Sequence, residues 1–101
     1  MDLKFDADQF DKYQEALAAE IAERVKIKLQ EAGMQGEQLA ECTTSITFSI
    51  ASVIDDLAAI ESDGMEVRPY LTFRANDEEL VHCGENSCIN TFVYDVMKKL
   101  F

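Results

Sequence analysis

Basic residues are scarce in this chain of 101: 9 Lys and Arg stand against 20 Asp and Glu, for a formal net charge of −11. Nucleic-acid binding draws most of its non-specific affinity from cations that displace counterions. The only basic clusters are Lys26/Lys28 and Lys98/Lys99, so no nucleic acid and no anionic membrane surface is expected as a partner. Glycine is equally sparse, at 4 residues. Phosphate loops, dinucleotide fingerprints and nucleophile elbows all need closely spaced glycines, and none of these motifs is present. Apolar runs stop at three or four residues, far short of the roughly 20 that a membrane-spanning helix requires. Met1-Asp2-Leu3-Lys4 lacks the basic start and apolar stretch of a secretory signal, and a cytoplasmic location follows as the expectation.

Ligands for chemistry are few as well. His82 is the one histidine, and the 3 cysteines Cys42, Cys83 and Cys88 form no C-x-x-C pair. Three is an odd number for a disulfide framework, so free thiols are expected. A zinc site would have to combine His82 or Cys83 with Cys88 and Cys42. Adjacent residues of a strand point to opposite faces, so His82 and Cys83 do not easily ligate one ion. Asp6, Asp8 and Asp11 resemble the start of a calcium loop, but Asp11 and Leu17 stand where that loop needs Gly and Glu. The expectation is no metal and no cofactor.

What remains is 48% hydrophobic and 29% charged residues, the composition of a single globular domain over residues 1–101. Phe10, Tyr13, Leu17, Ile21, Val25, Leu29 and Ala32 recur in steps of three and four, which predicts a long amphipathic helix capped by Asp6 or Asp8 and ended by Gly33. Ala18, Ala19 and Ala22 allow another helix to approach it closely. Leu39, Cys42, Ile46, Ile50, Val53, Leu57 and Ile60 repeat the helical spacing across Glu37–Glu61. Thr43, Thr44, Thr47 and the alternation Ile46, Phe48, Ile50 also suit a strand; helix is preferred because no Gly, Pro or Asn interrupts the segment. The period then changes to two. Val67, Leu71, Phe73 and Ala75 alternate with Arg68, Tyr70, Thr72 and Arg74, predicting a strand that turns at Asn76-Asp77 into a shorter one over Glu79–Cys83. A last helix, capped by Asn86 or Ser87, carries Ile89, Phe92, Val93, Val96, Met97, Leu100 and Phe101 as an apolar stripe. The fold class is therefore α+β in the order α-α-β-β-α, an antiparallel helical hairpin and a C-terminal helix packed on a β-hairpin, with Phe92, Val96 and Leu71 in one core. The face of the second strand is open: a two-residue loop buries Leu80 and His82, a three-residue loop Val81 and Cys83.

Function is read mainly from charge. Residues 1–63 hold 14 acids and 5 bases, while residues 64–101 hold 6 and 4, so the acidity lies on the helices. A field of one sign steers encounter with a partner of the other. The reading is a non-catalytic protein–protein interaction module of the small acidic accessory or regulatory kind, meeting a basic protein surface through Glu15, Glu23, Glu41 and Asp55. Asp55 and Asp56 are taken as solvated. Pro69 cannot donate to a ladder and suits an edge, making Met65–Pro69 a second candidate contact and, with the long first helix, a basis for a homodimer. One alternative is an inhibitor or immunity-type protein masking a basic nuclease or nucleic-acid-binding surface. Another is a thiol-dependent enzyme, or a metal- or redox-responsive regulator, using Cys88 as nucleophile at a helix start, His82 as base, and Cys83. Free cysteines filling small apolar sites are the preferred account of the thiols.

Overall fold

A computed structural model describes residues 1–101. It contains strand β1 (Asp2–Phe5), helices α1 (Ala7–Glu31) and α2 (Gly36–Ile54), strands β2 (Glu61–Ser62), β3 (Met65–Glu66), β4 (Phe73–Asn76) and β5 (Glu79–His82), a 3-10 turn over Ile89–Phe92, and helix α3 (Val93–Leu100). The α+β class holds. Helix α1 starts where Asp6 accepts a hydrogen bond from the Gln9 amide at 3.0 Å, satisfying an amide that the helix leaves orphaned. It ends in a Schellman motif, with Gly33 N–H donating to Gln30 and Met34 N–H to Leu29. Gly33 sits at φ +96°, a left-handed conformation that glycine adopts without steric cost.

The ambiguous stretch Thr43–Ile50 is helical throughout. Helix α2 stops at Ile54, seven residues before the predicted end, by the same motif: Asp56 N–H donates to Val53 and Leu57 N–H to Ser52. Here the left-handed position is held by Asp56 at φ +61°. The helices α1, α2 and α3 meet around Ala18, Ala22, Ala51, Ile89, Val93, Val96 and Met97, with Leu71 and Phe92 packed on that core. Phe92, Val96 and Leu71 do share a core, as expected.

Two features differ from the expected strands. First, the chain begins with β1, which pairs in parallel with β5 to give a sheet of order β1-β5-β4. Second, the long strand over Val67–Ala75 shrinks to β4, and the Ser62-Asp63-Gly64 stop becomes a tight hairpin joining β2 to β3. Asp63 at φ +51° and Gly64 at φ +77° supply the two positive dihedrals that such a turn requires. Met65 and Glu66 thus do have an intrachain partner, pairing with β2 along one edge, and Pro69 is half-buried in an irregular stretch. The free edges of the main sheet are β1 and β4.

The β4–β5 register pairs Phe73 with Val81 and Asn76 with Glu79, with one residue bulged between Arg74 and Asn76. The turn residues are therefore Asp77-Glu78, and the bulge at Ala75 adds the extra residue that a longer loop would have supplied. Val81 is fully buried while Leu80 and His82 are half-buried. Phe73, opposite Val81, packs against the rings of Phe10 and Tyr13 at 5.1 and 5.2 Å between centroids, fastening the sheet to the start of α1.

Candidate functional site

The chemically suggestive segment His82–Cys88 leads from β5 into the 3-10 turn. His82 and Cys83 are engaged within the segment, and Cys88 is engaged by α1. His82 Nδ1 accepts from the Gly84 amide at 3.2 Å, and its ring stands edge-on to Phe5 at 5.8 Å. Cys83 Sγ donates to the Glu85 carbonyl at 3.2 Å. The Cys88 amide donates to Gln14 Oε1 at 2.6 Å, and Gln14 Nε2 donates to Cys88 Sγ at 3.6 Å. No hydrogen bond joins His82 to Cys88, so the nucleophile–base contact that a thiol enzyme needs is not formed. The cysteines are free and half-buried, and no group of three or more His, Cys, Asp and Glu is placed to hold a metal ion.

The residue that organises this segment is Asp55. Expected as an exposed contact on α2, it is instead 1% exposed. Asp55 Oδ1 accepts from Ser87 Oγ at 2.6 Å and the Ile89 amide at 2.9 Å; Oδ2 accepts from the Asn90 amide at 2.9 Å and Asn90 Nδ2 at 2.8 Å. Asp55 follows Leu39, Thr43, Thr47 and Ala51 at steps of four on the inward line of α2, so helix geometry carries it inside. There it does what Asn86 or Ser87 was expected to do from within the last helix: it caps the orphaned amides of the 3-10 turn and places negative charge at their start. Gln14, 1% exposed, holds the same segment from α1. One buried polar side chain from each long helix therefore fixes the entry to α3.

Asp56 is not solvated either. Its side chain is 9% exposed and meets Arg68 at 2.9 and 3.0 Å, a pairing that raises the guanidinium above its ordinary range, chiefly through the hydrogen bond and then through charge, with Glu66 adding to it. This pair forms one wall of an open cleft lined also by Leu57, Ile60, Glu61 and Val67. The Asp55-Asp56 dipeptide was visible, but its division into an inward cap and an ion pair depends on where α2 stops.

Of the other expected contact residues, Glu15 and Glu23 line one hollow with Val96 and Lys99, and Glu15 is paired to Lys99 at 3.2 Å. Glu41 lines a different one, on α2 with Glu37 and Thr44. Glu23 and Glu41 are exposed and unpaired. Large apolar groups are exposed too. On the outer face of the sheet Leu3 is 57% and Phe5 64% exposed, and on α2 Ile46, Ile50 and Val53 lie partly open. No helix is long and apolar enough to cross a membrane. No protein-family model, no characterised protein and no solved structure matches this chain.

Proposed function

We propose that the protein is a non-catalytic interaction module whose acidic helical surface meets a basic surface on another protein. The observation that carries this reading is the use of its few cations. Lys4, Arg24, Lys28, Arg68, Lys98 and Lys99 are each paired with a carboxylate, so little positive charge is left to offset acids such as Glu23 and Glu41. Uncompensated charge of one sign speeds encounter with a partner of the other. The engagement of His82 and Cys83 within their own segment, and of Cys88 with Gln14, favours this reading over thiol chemistry. An inhibitor that masks a basic nuclease or nucleic-acid-binding surface is its sharper form. With Asp55 buried, the contact set reduces to Glu23 and Glu41, with Glu15 exposed beside them and shared with Lys99.

The test is capture from native lysate on immobilised protein, set beside a Glu23→Lys/Glu41→Lys variant. A basic protein retained by the unaltered chain, with its association slowed about tenfold or more in the variant at low salt, is expected. Equal association with both proteins would leave the acids no role beyond solubility.

A further inference from the structure

An open cleft of about 600 Å³ lies where the chain leaving α2 meets the β2–β3 hairpin. It follows from the early end of α2. Asp56, in its left-handed position, turns the chain, so Leu57 and Ile60 line the cleft, with Val67, instead of extending a helix. Leu57 is 66% and Val67 37% exposed, which leaves part of the lining apolar and uncovered.

The charged part of the lining is unbalanced. Asp56, Glu61 and Glu66 share one guanidinium, that of Arg68. Arg68 is committed to Asp56 at 2.9 and 3.0 Å and reaches Glu66 only at 4.0 Å. Glu61 has no ion pair and stands directly opposite Glu66 in the β2–β3 register. Both glutamates line the cleft, whereas Ser62 and Met65, the other cross-strand pair, do not. Like charges directly opposite one another destabilise a ribbon, and a two-stranded ribbon is marginal to begin with. A cation placed between the two glutamates would remove that repulsion, and the one cation at hand is held by Asp56.

We propose that this cleft seats a basic segment of the partner protein, with an Arg or Lys side chain between Glu61 and Glu66 and an aliphatic neighbour on Leu57 and Val67. Charge complementarity names the occupant. An anion would meet three carboxylates and a guanidinium already engaged. A metal ion would need a set of ligands that these residues do not form. A second copy of a chain with net charge −11 brings mainly acids. The aliphatic floor adds a requirement that charge alone does not, namely an apolar side chain on the same face of the segment as its cation. The occupant's identity rests on the basic-partner reading, but the contact is distinct from the face that steers encounter: Glu41 lies about 21 Å along α2 from Asp55, at 1.5 Å per residue, well beyond the roughly 8 Å over which exposed charges act at physiological salt.

The probe is the capped peptide Leu-Gly-Arg-Gly-Leu, which in extended form presents its Leu and Arg side chains on one face. It is titrated into the full chain at physiological salt and followed by amide chemical shifts. Shifts concentrated on Leu57–Glu61 and Glu66–Arg68 are expected, with a Kd on the order of 1 to 10 mM. Glu61→Gln/Glu66→Gln, a change confined to the exposed hairpin, should weaken binding about fivefold. Leu-Gly-Glu-Gly-Leu should not bind, and Gly-Gly-Arg-Gly-Gly should bind more weakly than the probe. Glu66→Gln alone should slow exchange of the Val67 amide, which donates to Ile60 at 2.9 Å, about twofold by relieving the repulsion. Glu23→Lys/Glu41→Lys should bind the peptide as the unaltered chain does. Capture from lysate tests the basic-partner reading and this titration needs no natural partner, so the two can fail separately. Shifts centred elsewhere, equal binding of the Arg and Glu peptides, or undiminished affinity in Glu61→Gln/Glu66→Gln overturns the proposal.

Discussion

Replacing Asp55 by Ala tests whether the last helix is held by a carboxylate from α2. The substitution removes the acceptor from four donors at once. The Ile89 amide belongs to a residue with no exposure, so water cannot replace its partner, and an unsatisfied buried donor costs about 1 to 3 kcal/mol. Ser87, 6% exposed, is nearly as closed, though its hydroxyl can rotate towards another acceptor. Asn90 is half-buried and recovers part of its loss from solvent. Together these place the cost at about 3 to 5 kcal/mol, against a total stability of about 5 to 15 kcal/mol for a domain of this size. In thermal melts that is a fall of roughly 12 to 40 °C, at about 4 to 8 °C per kcal/mol. Asp55→Asn should cost less, about 2 kcal/mol, because the amide oxygen can still serve two donors while its NH2 group opposes the other two. Urea unfolding followed by circular dichroism gives both values, with Glu41→Ala, a surface change expected within about 0.5 kcal/mol, as reference. A loss below about 1 kcal/mol for Asp55→Ala, or one no larger than that of Glu41→Ala, would refute the capping role.

Thr43→Val and Thr47→Val replace buried hydroxyls that have no partner by groups of similar shape, and each should raise stability by about 1 kcal/mol in the same assay; destabilisation would mean that the hydroxyls are bonded. Phe10→Ala removes a fully buried ring that anchors Phe73 and should cost about 3 to 5 kcal/mol; a loss near 1 kcal/mol would detach the sheet from the core. Asp56→Gly relieves a left-handed conformation in a non-glycine residue, so in an Arg68→Ala background, where the ion pair is already gone, it should stabilise by roughly 0.5 to 1 kcal/mol. The Arg68 shift is upward, so its contribution is complete below the ordinary guanidinium range and lost only as pH rises through the raised value. Titration between neutral pH and about pH 10 should therefore reveal no stability change that Arg68→Gln abolishes.

The amino-acid sequence by itself determined the helices and the class of fold, because helix periodicity is local. Seven apolar positions at steps of three and four, an Asp able to accept from an amide three residues on, and a glycine able to turn left-handed specify α1 with no reference to the rest of the chain. The same logic chose helix over strand for Thr43–Ile50. It also overran the end of α2, since Asp56 occupies a left-handed position that glycine normally marks and so gave no local stop signal. Strand β1 was invisible for a different reason: four residues carry too little pattern, and what makes them a strand is β5, which lies more than seventy residues away. The register of β5 turned on one bulged residue at Ala75, a choice settled by packing Phe73 and Val81 against α1. Most of the site was likewise a tertiary matter. Asp55 reads as ordinary polar surface and nothing in the sequence singles out Gln14, whereas Glu23 and Glu41 do lie on the surface; only tertiary packing carries Gln14 and Asp55 inside, where dehydration makes them the sole partners of the amides at Cys88, Ile89 and Asn90. The uncharged run from Cys42 to Ile54 could be read from the sequence alone. That Leu39, Thr43, Thr47 and Ala51 face inward while Ile46, Ile50 and Val53 stay partly open was decided by how α2 packs against α1 and α3.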